Sequence, residues 1–220
     1  MESLVNHIDL PSNPWLSIPL EDYEGHMGLP SIGQAQALSA EFGRLLCQYQ
    51  PRSLVLVGCA GGNGLEWVDS AVTCRTVVLD INPDYVETTR KRYEERIPGL
   101  EALACDIAMF DPALLRKPVG LVFSGLILEY VPLLPVLQTL REMLRQGGIL
   151  GCVLQEKSDV LSDVSPSPFT SLSRLSCHMH LVSPEVLVAI SGAIGLRLIE
   201  RRRCIMPNGK ALLSLAFAAE

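Results

Sequence analysis

The residues best suited to hold a ligand cluster in Leu54 to Val68, LVLVGCAGGNGLEWV. Four apolar residues, Leu54 to Val57, read as a strand buried on both faces, and they stop at Gly58, Cys59, Ala60, Gly61 and Gly62. Glycine carries no Cβ and tolerates positive φ, so backbone amides in this stretch can approach a ligand closely. Asp80 closes the next apolar run, Thr76 to Asp80, 22 positions after Gly58. A spacing near 20 places an acid at the end of the neighbouring strand, on the ribose hydroxyls of a nucleotide-like cofactor. The competing role for Asp80, capping the next helix, is taken by Asn82, which directly precedes Pro83. Asp106, followed by Ile107, closes a third run, Leu100 to Cys105. Acids ending two successive parallel strands converge on one bound molecule, although an isolated Asp after a strand is also a turn former.

Groups able to move a proton lie elsewhere in the chain. His26 and Glu129 are the foremost candidates for a catalytic role, with Glu156 and His178 behind them. Gln34 and Gln36 fall near the start of a helix where they can face the same cavity as His26, or equally be solvated. Cys177-His178-x-His180 packs three ligand types together, but the spacing is unlike the paired patterns of zinc sites and no second pair is evident, so no metal is expected.

The elements that must position these groups follow from pattern. The glycine run is expected to open a helix over Asn63 to Ser70. A helix from Asp84 to about Arg96, a strand over Val119 to Ser124, a helix from Pro132 to Arg145 ended by Gly147-Gly148, and a strand over Ile149 to Leu154 continue the alternation. Leu126, Ile127 and Leu128 form an apolar loop suited to a pocket wall or to the core. The first thirty residues lack a period and read as an arm or lid, followed by a helix capped by Ser31 with Ile32, Ala35, Leu38, Phe42, Leu45 and Leu46 on one stripe. Gln155 to His180 breaks the alternation and reads as a long connection over the carboxyl edge, where substrate choice is made. A helix from Ser183-Pro184 and an antiparallel hairpin, Leu196 to Arg203 with Lys210 to Phe217, end the chain; Lys and Arg on the hairpin read as solvated edge residues.

Composition narrows the class. A chain of 220 residues suits a single α/β domain, with residues 1-50 as N-terminal arm and lid helix, 51-220 as ligand-binding core and 155-180 as the substrate loop. No apolar run reaches membrane-spanning length and no secretory signal is visible, so a cytoplasmic location with no membrane partner is expected. Seven cysteines without a C-x-x-C pair, among them Cys47, Cys59, Cys105 and Cys152 in apolar surroundings, suit reduced core thiols. A net charge of −6 argues against nucleic acid as a partner. Oligomeric state is not encoded in these patterns.

Together the parts resemble the class I S-adenosylmethionine-dependent methyltransferases over Leu54 to the C-terminus. The resemblance implies a Rossmann-like three-layer sandwich whose seven-stranded, mostly parallel sheet has the order 3-2-1-4-5-7-6, with an antiparallel C-terminal strand. Gly58-x-Ala60-x-Gly62 matches the family's glycine loop and Asp80 its ribose-holding acid. Asp106-Ile107 matches the adenine-contacting pair, and Ser124 to Leu126 the segment beneath the methionine part. Cofactor contacts are therefore implied for Gly58, Cys59, Ala60, Gly62, Asp80, Ile81, Asp106, Ile107 and Ser124. More narrowly, GCAGGNGLE and YEGHM look like segments of bacterial methyltransferases of unassigned substrate. One departure is Leu56, where the family often has an acid.

The implied activity is methyl transfer from S-adenosylmethionine to a small-molecule acceptor, because no Asn/Asp-Pro-Pro-aromatic motif of nucleic-acid amino methylation follows the fourth strand. Two other classes compete. A nicotinamide-dependent oxidoreductase needs G-x-G-x-x-G, which fails from Gly58 and from Gly62. A non-catalytic interaction or sensor protein built on the same fold has only Leu56 in its favour.

Overall fold

A computed structural model describes residues 13–220. Its strands are β1 (Ser53–Val57), β2 (Arg75–Asp80), β3 (Glu101–Ala104), β4 (Val119–Gly125), β5 (Leu144–Gln155), β6 (Leu196–Ile205) and β7 (Ala211–Ala219). They form one sheet in the order β3-β2-β1-β4-β5-β7-β6. The first five are parallel, and β7 runs antiparallel to both β5 and β6. This is the sheet the resemblance implied. Strand order reverses between β1 and β4, which opens a crevice at their carboxyl ends.

Both faces of the central strands are apolar because both are covered. Val55 and Val57 of β1 point to one side, into a cluster with Val136, Leu137 and Leu140 of α4 (Leu133–Met143) and Leu187 of α5 (Pro184–Ala193). Leu54 and Leu56 point to the other, against Phe42, Leu45 and Leu46 of α2 (Gln34–Tyr49). Helix α3 (Pro83–Tyr93) starts as its sequence requires: Asn82 accepts the Asp84 amide at 3.0 Å and Pro83 fills the first helical position. It adds Val86 to the α2 side.

Four local expectations give way. No α-helix follows the glycine run; Leu65–Trp67 makes a single 3-10 turn. Gly62 and Gly64 take φ of +88° and +93°, outside helical space, and Asp69 accepts the Ala71 amide to start a separate turn. The segment before residue 30 is not irregular, since α1 (Leu20–Gly28) occupies it; nine residues with His26 on the buried side give too weak a period to be seen. The N-cap of α2 is Gly33 in the left-handed conformation, not Ser31. Gly147 and Gly148 do not cap α4, which ends at Met143; they lie inside β5, where its register against β4 shifts. The part of the arm before residue 13 lies outside the described residues.

The two faces should tolerate little loss of volume. Phe42 is fully buried and stacks on Phe123 with ring centroids 4.8 Å apart. Phe42→Ala is expected to lower unfolding free energy by about 3–5 kcal/mol in urea denaturation.

Candidate active site

The glycine bend is fixed from the β2 side. The amides of Gly58 and Cys59 both donate to the Leu79 carbonyl, at 2.8 and 3.1 Å. Ala60 holds a left-handed conformation, φ +45°, unusual for a residue with a side chain. Both of its backbone polar groups are engaged: its N–H donates to Asp80 Oδ2 at 2.9 Å, and its carbonyl accepts Thr89 Oγ1 at 2.7 Å. The second Asp80 oxygen accepts the Asn82 amide at 2.9 Å. Burial pushes the Asp80 carboxyl up, while these backbone donors pull it back toward the ionised form. At Gly58, φ is +71° and an added Cβ would collide with Ile127 Cδ1, so only glycine lets the wall approach.

A first chamber opens above this bend. Gly58, Ala60, Asp80, Ile81, Asp106 and Ile107 all line it, so both acids meet in one cleft. Leu79, Cys105, Leu126 and Ile127 add apolar surface. Asp106 also accepts the Ala108 amide at 2.9 Å, so it forms a turn and faces the chamber at once. Three implied contacts lie outside this lining. Cys59 is buried with its thiol against Thr89 Oγ1, and burial lifts it to about 12. Gly62 backs onto Tyr93. Ser124 is buried on β4, its hydroxyl without a partner among the described residues. Of the apolar loop, Leu126 and Ile127 face the chamber, whereas Leu128 is core.

The segment before β1 roofs the chamber. Asn82 Nδ2 donates to the Trp15 carbonyl and Tyr85 Oη to the Ile18 carbonyl, both at 2.9 Å. Arg92 pairs with Glu24 across the bend. These anchors place Trp15 edge-on to Tyr23 and to Tyr130, at centroid distances of 5.7 and 5.1 Å.

Trp15, Tyr23, Leu126 and Tyr130 also line a second chamber. It contains His26, Gln34, Gln155 and Lys210. His26 Nδ1 meets Ser167 Oγ at 2.8 Å, and Nε2 makes no hydrogen bond among the described residues. Burial, then the Lys210 charge, hold this imidazole below its usual 6.5. Gln34 joins His26 here, whereas Gln36 is exposed and bonds the Gly28 carbonyl. Glu129 lines neither chamber: it is buried behind the wall, Oε1 accepting the Gln155 amide at 2.9 Å and Oε2 unpartnered among the described residues. Glu156 pairs with Arg203, and His178 is exposed with Nδ1 near the Arg174 carbonyl.

Lys210 is a correction. It is not a solvated edge residue but 5% exposed, its Nζ donating to the Asp163 carbonyl at 2.6 Å. A signal for this was present: Ala211 to Phe217 is apolar at nearly every position, the mark of a strand covered on both faces, so the residue at its head is covered too. The aromatic partition was missed because Trp15, Tyr23 and Tyr130 come from three separate short elements. Cys47 is also corrected: it is exposed, and Cys105 is half-buried.

Residues 55–148 match a family described as a methyltransferase domain. No curated protein matches the chain. Among solved structures, the chain is similar to the N-methyltransferase NodS from Bradyrhizobium japonicum WM9 in complex with S-adenosyl-L-homocysteine. That match has 20% identity and a TM-score of 0.60, covering 94% of this chain and 92% of that one. It is also similar to the magnesium protoporphyrin IX methyltransferase ChlM from Synechocystis PCC 6803 with bound SAM, at 11% identity and a TM-score of 0.68, covering 94% and 93%. The [4+2]-cyclase SpnF matches as well, at 11% identity and a TM-score of 0.63, covering 83% and 80%. At these identities the likeness is one of fold.

Burial lifts the Glu129 carboxyl from 4.5 to about 7. The unfolded chain ionises first, so stability is full below pH 4.5, falls as pH rises toward 7 and then levels. Glu129→Gln cannot ionise. Between pH 4.5 and pH 8, urea unfolding should shift the variant-minus-parent difference in the variant's favour by up to about 3 kcal/mol.

Proposed function

We infer that this chain, whose residues 55–148 match the methyltransferase-domain family, is an S-adenosylmethionine-dependent methyltransferase acting on a small-molecule acceptor. The observation that carries this reading is the pair of adjoining chambers sharing an aromatic wall, one holding two strand-end acids and the other a buried histidine. The first chamber fits an adenosyl compound. Its bend is closed to any residue larger than glycine at position 58, Asp80 offers acceptors for vicinal hydroxyls, and Ile81, Cys105 and Ile107 supply apolar surface for a flat base. Bound S-adenosylmethionine supplies a methyl group already activated by its sulfonium.

The chain's tasks are then to orient the acceptor, exclude water and manage a proton. Trp15, Tyr23 and Tyr130 stand between the chambers and shield both from solvent. Residues 155–180, with the segment before β1, act as the cover over the acceptor. His26 is the general base: in the tautomer whose Nδ1 donates to Ser167, the Nε2 lone pair is free to take the acceptor's proton. Glu129 is a positioning residue that holds the start of that cover through the Gln155 amide. The fold alone does not decide the reaction, since SpnF is described as a [4+2]-cyclase. We place the protein in the cytoplasm on the support of its free cysteines, with Cys47, Cys74, Cys177 and Cys204 exposed.

Calorimetry should detect S-adenosylhomocysteine binding, weakened roughly tenfold or more by Asp80→Ala, which removes a charged acceptor and loosens Ala60. Methyl-tritiated S-adenosylmethionine incubated with a small-molecule extract should label the low-mass fraction and release S-adenosylhomocysteine. Binding without release leaves the sensor reading standing. His26→Gln should lower kcat on the order of 10²-fold or more while leaving cofactor affinity unchanged. Because the imidazole titrates below its usual value, the acid limb of kcat/KM for the parent should lie at lower pH than an ordinary histidine would set.

A further inference from the structure

We propose that the second chamber is an anion site in which Lys210, with Gln34 and Gln155 beside it, anchors a single carboxylate carried by an otherwise apolar small molecule. This rests on reading that chamber as the acceptor site, and it names the acceptor's class.

Lys210 is held without being neutralised. Its Nζ donates to the Asp163 carbonyl at 2.6 Å and reaches Gln155 Oε1 at 3.4 Å, both uncharged acceptors. Gln155 Oε1 also accepts Gln34 Nε2 at 3.2 Å, and Gln155 Nε2 donates to the same Asp163 carbonyl at 2.8 Å. Two amides and a carbonyl thus fix the ammonium while contributing no counter-charge. Among the described residues no carboxylate lies within the 4.0 Å of an ion pair; the Asp163 side chain offsets the burial only from further away. The ammonium is pulled down to about 8, so it is still largely protonated at neutral pH.

Burying a cation is costly unless an anion pairs with it directly, and Asp163 acts on this one only from a distance. A neutral donor would pin the Asp163 carbonyl equally well, so tethering the long connection does not explain the charge. Burial and the Lys210 charge hold His26 below its usual value, so Lys210 is the cation of this lining; the exposed residue Asp163 belongs to the same lining, but its carboxylate makes no ion pair with Lys210 among the described residues. One ammonium matches one carboxylate, whereas a phosphate dianion would leave a buried charge unmatched. The remaining wall, Trp15, Tyr23, Leu126 and Tyr130, is suited to an apolar body and is shared with the first chamber, so a molecule anchored at Lys210 presents its far end there.

The test uses the purified full chain with S-adenosylhomocysteine, titrated with benzoate, indole-3-acetate and decanoate, each beside its primary amide. At least one acid should bind roughly tenfold or more tightly than its amide, and Lys210→Met should abolish that preference while leaving S-adenosylhomocysteine affinity intact. Equal binding of acid and amide, no binding of any probe, or an acid preference that survives Lys210→Met overturns the proposal. Should that variant not fold, acetylation of the parent followed by mass spectrometry decides. Protection of Lys210 by an acid but not by its amide supports the site, and equal protection or none overturns it. A parent chain that binds no S-adenosylhomocysteine fails the methyltransferase reading instead, and the same titrations without it still judge the anion site.

Discussion

The Asp80 carboxylate is the constraint on which the ligand-binding end depends. Ala60 sits in left-handed backbone space at a cost on the order of 1 kcal/mol, and such a conformation persists only where its surroundings over-determine it. Here they do. Asp80 accepts the Ala60 amide, the Thr89 hydroxyl of α3 donates to the Ala60 carbonyl, and the Leu79 carbonyl accepts the two amides before it. With only a 3-10 turn after the bend, the loop has no long helix to lend it rigidity or a strong dipole. The β2 and α3 side supplies the rigidity instead, and the acid that shapes the loop is one that also lines the first chamber.

The same economy explains Leu56. It is buried beside Met27, Phe42 and Leu54, in a cluster made when α1 and α2 close over that face of the sheet. A carboxylate at this position would be dehydrated among aliphatic and aromatic side chains. Leucine is therefore what the packing of α2 asks for.

How far the sequence discloses this arrangement depends on whether a signal is local. The Asn82-Pro83 helix start and the strand-end places of Asp80 and Asp106 are readable because each rests on contiguous residues with a strong period or cap, whereas the sheet order is implied only by the family resemblance. Helix α1 is not, because a nine-residue element burying His26 and Met27 has no clean apolar stripe. Nor is the second chamber, whose walls come from α1, α2, the end of β4, the long connection and the head of β7. Lys210 shows the limit: alone it reads as a solvated strand end, and only the cover laid over β7 by residues 155–163 turns it into a buried charge.

Glu129 shows how the two chambers are joined. Its side chain accepts the Gln155 amide, and its backbone carbonyl accepts the His180 amide at 2.8 Å, so one residue ties down both ends of the long connection. The next residue is Tyr130, which forms the partition, and Gln155 carries the amide that steadies Lys210. A buried carboxyl that tends to keep its proton near neutrality makes such a tie without placing a full negative charge beside the partition. The acid thus acts through geometry: displacing it would move the partition and the Lys210 network together, coupling the shape of the second chamber to that of the first.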